Sequence, residues 1–343
     1  MSIKLKITFF ILLVYIIFGS FSCSKNIENQ QNKLFSLLDD KTLSKESRYA
    51  IINQISTNYL NRGETDELIL FLTDYVEKNP DDIYNPYWLL MVASTYLDNE
   101  AEPFAEYYFD KIIQNYDDLL VKGKSVHIIC LQHLIQISTK SENRIYYFNK
   151  LISGFQDQVS TTELYARIAS EYEAIGDWEN ALLSYSLFLG QPDATTIQIA
   201  GLPDAYLKAR KTIDFNNSDQ NWTFQTLEEL EAAIKSAIKK YDARKLDKYR
   251  SQVNFFGMSW KQDETDTNSQ FTSSMKEYMR GQRIHFSEEL DDSSTPTEAY
   301  LRTWGWSNYI NVWYLYFRKV NFPANPEIHG NWEWAGIYYG EKI

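Results

Sequence analysis

The chain has 343 residues, 44% of them hydrophobic and 15% aromatic, and a formal net charge of −12. Such an acidic protein repels a phosphate backbone unless a basic patch intervenes, and no basic cluster exceeds Lys235 to Lys248, so nucleic acid is excluded as a principal partner. A chain of this length needs no disulfide staples, so having only Cys23 and Cys130 leaves an oxidising compartment open.

The N-terminus reads MSIKLKITFFILLVYIIFGSFSCSK. Lys4 and Lys6 form a positive region, and Ile7 to Phe18 is an uncharged run of twelve. A bilayer needs roughly 20 apolar helical residues, so this run fits a secretion signal better than a span. Gly19, Ser20 and Ser22 lead to Cys23, an order that resembles a bacterial lipoprotein signal, in which cleavage before the cysteine leaves it acylated. Ser20 stands where Leu is usual and Phe21 is bulky, a looseness similar to the signals of spirochaetes; the alternative is an ordinary signal peptide ending by chance at a cysteine. The resemblance implies a signal at 1–22, lipidation of Cys23, a tether at 23–31 and a protein anchored to a membrane of the cell envelope, periplasmic or at the outer surface.

Residues 32–215 are predicted helical, with few glycines and apolar residues recurring at three and four. Three segments superimpose: Ile51 to Pro80, Trp88 to Asp118 and Leu164 to Pro192. Tyr59, Tyr96 and Tyr172 mark the same place in each, 37 and then 76 residues apart, and SVHIICLQHLIQISTKSENRIYYFNKLI fills the gap as a degenerate copy. Within it Cys130 reads as a buried, inert thiol. The segments resemble tetratricopeptide repeats: Tyr165, Ile168, Ala169, Tyr172, Gly176, Ala181 and Tyr185 follow that pattern, as do Ile55, Ser56, Tyr59, Gly63, Leu72 and Pro80, and Val92, Ala93, Tyr96, Ala105 and Phe109. The departures are Leu68 for a small residue, a missing turn glycine in the second copy, and Tyr75, Ile112 and Phe188 where the family prefers Ala. The resemblance implies a solenoid of helical hairpins that binds a protein or peptide. Asn58, Thr95 and Glu171, beside the repeat tyrosines, are the partner-binding candidates. A further helix around Pro203–Thr212 is expected to cap the stack, and 216–225, rich in Asn, Asp and Ser, reads as a linker.

From residue 226 the composition changes. Thr226 and Glu229 have capping-box spacing, and Ala233, Ile234, Ala237, Ile238 and Tyr241 mark one helix face. FFGMSW and the segments starting at Arg283, Glu298, Asn311 and Asn331 read as strands. Residues 226–343 are thus predicted to be a small α+β domain with an antiparallel sheet, similar in element order to the nuclear-transport-factor-2-like fold. Lys261 to Gln270 is a polar loop without EF-hand spacing. Seven of nine tryptophans follow the repeats; Trp304 with Trp306 and Trp332 with Trp334 should share strand faces, as core or as a ligand pocket.

No catalytic motif emerges. His127, His133, His285 and His329 lack metal-ligand spacing, and Glu288, Glu289, Asp291 and Asp292 read as a solvated turn. The expectation is a lipid-anchored, non-enzymatic scaffold without a cofactor, binding an envelope protein or peptide. The alternative is a solute- or glycan-binding lipoprotein using the aromatic C-terminal pocket.

Overall fold

The computed structural model describes residues 24–262 and 271–342. The chain divides into two compact units, one up to His133 and one from Leu134, and the division falls inside a helix. Cys23 and the expected signal lie outside the described residues.

The first unit runs through α1 (Ser24–Leu38), α2 (Lys45–Arg62), α3 (Thr65–Lys78), α4 (Asn85–Asp98) and α5 (Glu102–Asn115). A short antiparallel ribbon, β1 (Leu120–Val121) and β2 (Lys124–Ser125), leads into α6 (Val126–Ile137), which carries the division. From α1 to α5 each helix packs on its successor. The expected tether at 23–31 is largely part of α1, a stretch with neither Gly nor Pro to interrupt it. Ser44 caps α2 by accepting the Ser47 N–H at 3.1 Å. Pro86 and Pro103 sit in the first turns of α4 and α5, where a missing N–H costs nothing.

The second unit continues with α7 (Ser141–Phe155), α8 (Thr161–Ala174), α9 (Trp178–Leu189) and α10 (Ala205–Asn216), again packed in succession. Then come α11 (Leu227–Lys239), α12 (Ala243–Tyr249), β3 (Phe256–Ser259), α13 (Met275–Met279), β4 (His285–Phe286), β5 (Glu298–Trp304), β6 (Val312–Lys319) and β7 (Trp332–Tyr339). The Thr226–Glu229 capping box is formed in both directions.

Three helix pairs turn on one design. After α2, Gly63 takes φ 71°, its N–H donates to Leu60 O at 3.1 Å, and Glu64 N–H donates to Tyr59 O at 3.0 Å. After α8, Gly176 takes φ 75°, with bonds to Glu173 O and, from Asp177, to Tyr172 O at 3.0 and 2.9 Å. After α4 the glycine is absent, yet Glu100 takes φ 59° and makes the same two bonds, to Leu97 O and, from Ala101, to Tyr96 O. These left-handed caps satisfy carbonyls that the helix end orphans. Their spacing, 63 to 100 to 176, is the 37 and 76 of the repeat tyrosines.

Burial follows the same beat. Ile55, Val92, Cys130 and Ile168 are buried on the first helices, and Leu72, Phe109, Phe148 and Tyr185 on the second. Tyr75, Ile112, Leu151 and Phe188 are buried one turn later. These large side chains are packed inside without interrupting the succession of helices.

The C-terminal sheet has the order β3-β7-β6-β5-β4. It is mixed rather than wholly antiparallel: β3 pairs parallel with β7, Phe256 opposite Gly336, while the other neighbours are antiparallel. Parallel pairing needs a long crossover, and α13 and β4–β6 supply it between β3 and β7. The strand expected from Arg283 shrinks to two residues, and the helix expected beyond Lys239 breaks at Tyr241, which takes φ 54° and starts α12 in a new direction. One sheet face packs on α11, α12 and α13 through Leu230, Ile234, Leu246, Met275, Leu315 and Trp334. A bulge at Tyr316/Phe317 leaves Ala335 unpaired, so the helix-facing set on β7 steps from Trp334 to Ile337 instead of keeping alternation.

The expected linker at 216–225 is built into this unit. Trp222 is fully buried with Phe215, Phe322 and Ile328, and Phe224 exchanges backbone hydrogen bonds with Trp332 at 2.8 and 2.7 Å. The polar residues around them signalled a loop, but two aromatic anchors outweigh that signal, since each buries a large apolar area.

Candidate interaction surfaces

The second helices expose a large side chain at one shared repeat position: Leu70, Tyr107, Tyr146 and Leu183 are 68%, 58%, 44% and 58% exposed, and Phe104 and Leu187 add to the exposure on α5 and α9. Each of the four lies two residues before a buried position, Leu72, Phe109, Phe148 or Tyr185, so the exposure belongs to the repeat and not to one helix. In α5 and α7 the match is closer still. YYFDKII (107–113) and YYFNKLI (146–152) place Lys111 Nζ 5.9 Å from the Tyr107 ring and Lys150 Nζ 5.5 Å from the Tyr146 ring. The adjacent tyrosines meet edge-on in both, at 5.1 and 5.4 Å. The sequence signal for this near-identity is the YYF-x-K pattern shared by the two copies.

The residues expected to bind a partner are committed internally. Asn58 Nδ2 donates to Gln31 Oε1 at 2.8 Å, and its Oδ1 accepts from Gln54 at 2.9 Å. Thr95 is buried, its hydroxyl donating back to Met91 O at 2.8 Å. Glu171 receives Arg144 Nε at 2.8 Å and Nη2 at 2.6 Å, a bidentate clamp between α7 and α8. Burial opposes the charged form of Glu171, but the Arg144 hydrogen bonds and charge outweigh it and hold the carboxyl below its ordinary range. Arg144 stands where the repeat elsewhere has Leu68, Ala105 and Ala181, and Nη1 also donates to Ser138 O at 2.7 Å. In this copy an ion pair replaces close packing.

The four tryptophans do not converge on a pocket. Trp332 and Trp334 share a face as expected, but that face is the helix-side core. Trp334 Nε1 donates to Gly336 O at 2.9 Å. Trp306 does not share a face with Trp304, because Gly305 at φ 92° ends the strand and turns Trp306 inward. There it stacks on Trp313 at 5.0 Å and donates to Thr303 Oγ1 at 2.6 Å. Trp304 stays half-buried on the opposite face, stacked on His285 at 5.6 Å with the Arg302 guanidinium 5.4 Å from its ring.

That opposite face carries a second aromatic set that the sequence reading did not isolate: Phe256, Tyr300, Tyr314, Tyr316 and Tyr338, joined by Trp260 from beyond β3. Alternation along β5, β6 and β7 contained the signal, since these tyrosines occupy the positions between the core residues. Charged pairs edge the set. Arg318 Nε donates to Glu333 Oε1 at 2.9 Å, and Trp222 Nε1 donates to Glu333 Oε2 at 2.9 Å, so this buried carboxylate has a partner on each oxygen. Tyr316 donates to Glu298 Oε1 at 2.8 Å; burial first, and that carboxylate second, push its phenol well above the usual tyrosine value.

A cavity of about 160 Å³ lies between α8, α9 and α10, lined by Ala166, Tyr185, Leu202, Pro203 and Lys208. Burial pushes the Tyr185 phenol up to about 12, so it stays protonated at neutral pH. In the acidic turn Glu288, Glu289 and Asp292 are exposed and Asp291 is half-buried, its Oδ1 accepting the Ser293 N–H at 3.0 Å. Among the described residues no three of His, Cys, Asp and Glu gather as metal ligands do, and no helix is long and apolar enough to cross a membrane. Compared with known proteins, the chain matches no protein-family model and no curated protein.

Proposed function

We propose that the chain is a lipid-anchored protein of the bacterial envelope whose tetratricopeptide-like helix pairs hold a partner protein. The observation that carries this reading is the repeat-locked exposure of Leu70, Tyr107, Tyr146 and Leu183. A large apolar side chain held outward at one position in four successive second helices is what a surface built for a partner requires, whereas singly scattered apolar residues need no explanation. The contact face moves accordingly from Asn58, Thr95 and Glu171, which serve internal contacts, to the second helices. Within each unit, hairpins that pack on their neighbours support one another in series. With a net charge of −12, a partner carrying a basic or neutral face is favoured. The lipid on Cys23 would hold the array at a membrane, and several acyl chains anchor firmly where one does not.

A photoreactive residue placed at Tyr107 or Leu183 of the full chain, expressed in its native envelope, tests the proposal. One discrete crosslinked protein, absent when the same residue replaces exposed Lys240, is the expected result. Equal capture at all three positions, or none, contradicts it. Labelled palmitate incorporated by the wild type and lost with Cys23→Ser tests the anchor separately.

A further inference from the structure

We infer that the outer face of the C-terminal sheet carries a binding site for an alkylammonium group, held in this structure by the chain's own Lys342. The site is two rings and a hydroxyl. Lys342 Nζ stands 4.6 Å from the Tyr300 ring centroid and 5.1 Å from that of Trp260, and it donates to Ser293 Oγ. Both distances are inside the roughly 6 Å at which a ring face attracts a cation. The Trp260 indole is fixed from three sides: it stacks on Tyr338 at 4.4 Å and 10°, meets Tyr314 edge-on at 5.3 Å, and donates from Nε1 to Gly340 O at 3.1 Å. A ring so constrained offers its face with little entropy left to lose.

Lys342 is a replaceable occupant. The end of the chain is held without its ammonium, by Trp260 on Gly340 O, by Arg302 donating from Nε and Nη2 to Glu341, and by Tyr314 donating to Glu341 Oε2 at 3.1 Å. Lys342 itself is exposed and carries a long, mobile stem. Asp291, kept ionised below its ordinary range by the Ser293 hydrogen bonds and by Lys342 and Arg302, adds negative potential at the rim, while Glu341 is committed to Arg302. Tyr300, Trp260, Ser293 and Asp291 therefore select a cation, and the two ring faces favour a diffuse one. A trimethylammonium group gives up only the Ser293 hydrogen bond and is easier to strip of water than a primary ammonium. This site is independent of the scaffold reading, since it uses none of the repeat helices.

The test titrates choline chloride into the full chain at constant ionic strength and follows the Trp260 indole N–H resonance. An internal competitor that fills the site about nine-tenths of the time weakens an added ligand about tenfold. Lys342→Ala is therefore expected to bind choline about tenfold more tightly than the wild type, and Lys342→Ala/Tyr300→Leu to lose saturable binding. The neutral isostere 3,3-dimethylbutan-1-ol, titrated into Lys342→Ala, is expected to leave the resonance unmoved, which keeps the test decisive even if the double variant fails to fold. Phosphocholine separates the sources of the group: tighter binding than choline assigns a lipid headgroup, weaker binding a free quaternary amine, and either upholds the site. No saturable response to choline in Lys342→Ala, or an equal response to the neutral alcohol, overturns the inference.

Discussion

The helical repeats and the C-terminal sheet are both rich in tyrosine, and they use it in opposite ways. In the repeats Tyr59, Tyr96 and Tyr172 recur at fixed intervals and define where each hairpin turns, through carbonyls that accept the bonds closing the left-handed caps. In the sheet Tyr300, Tyr316 and Tyr338 come from three different strands and meet only because the register aligns them, Tyr300 opposite Tyr316 and Tyr314 opposite Tyr338. A periodic element tolerates local departures, because each unit leans on its neighbours and the turn geometry is the same with or without glycine. A non-local cluster has no such redundancy, and its members meet only through the register of β5, β6 and β7.

That contrast sets an order of expected effects. Glu333→Ala should be among the costliest, because it removes a buried carboxylate that accepts from Arg318 and leaves the buried Trp222 N–H without its acceptor; a loss of about 3–5 kcal/mol in urea unfolding is expected. In the repeats, Phe109→Ala should cost a similar ~3–5 kcal/mol through the cavity it leaves, whereas Tyr107→Ala, two residues away and exposed, should stay within about 0.5 kcal/mol. Equal losses for Phe109 and Tyr107 would break the assignment of inner and outer positions.

Glu171→Gln is expected to cost about 1–2 kcal/mol, since the pair with Arg144 is only partly buried. Its pH signature follows from the sign of the shift. The folded state lowers the carboxyl pKa, so the stabilisation is complete above the unfolded value of about 4.5 and is lost as pH falls through the folded value. Wild type and Glu171→Gln should therefore converge in stability only once pH has fallen below the lowered folded value. A gap that persists in acid would remove the ion pair from the account. The smallest effect is a gain: Glu100→Gly relieves a left-handed residue and should add about 0.5–1 kcal/mol, while Gly176→Ala should lose about 1 kcal/mol. Melting curves of the two variants read both signs at once.

The periodic half was legible in sequence to the extent that its signals are local. The 37-residue beat, the small residues Ala93, Ala105, Ala169 and Ala181, and the turn glycines each depend on neighbours within one hairpin. The capping box at Thr226 and the strands β5, β6 and β7 were legible for the same reason. What was not legible depends on distant partners. Polar flanks hid Trp222, whose burial is decided by Phe322 and Glu333, a hundred residues and more further on. The parallel strand β3 pairs with β7 across the whole domain, and Gly305 separates Trp304 from Trp306 in a way that spacing alone cannot show. Asn58, Thr95 and Glu171 adjoin the repeat tyrosines, but adjacency on a helix does not say which side chains find internal partners.

Leu70, Tyr107, Tyr146 and Leu183 are proposed as repeat-encoded contacts for a partner, exposed side chains that play no part in holding the fold together. The most direct measurement places the photoreactive residue at exposed Tyr146, substitutes Leu70→Glu, Tyr107→Glu and Leu183→Glu together in the full chain, and reads melting temperature and capture of the photocrosslinked partner in one preparation. An unchanged melting temperature with capture abolished is the predicted result. Retained capture, or a variant that melts many degrees lower, would contradict it.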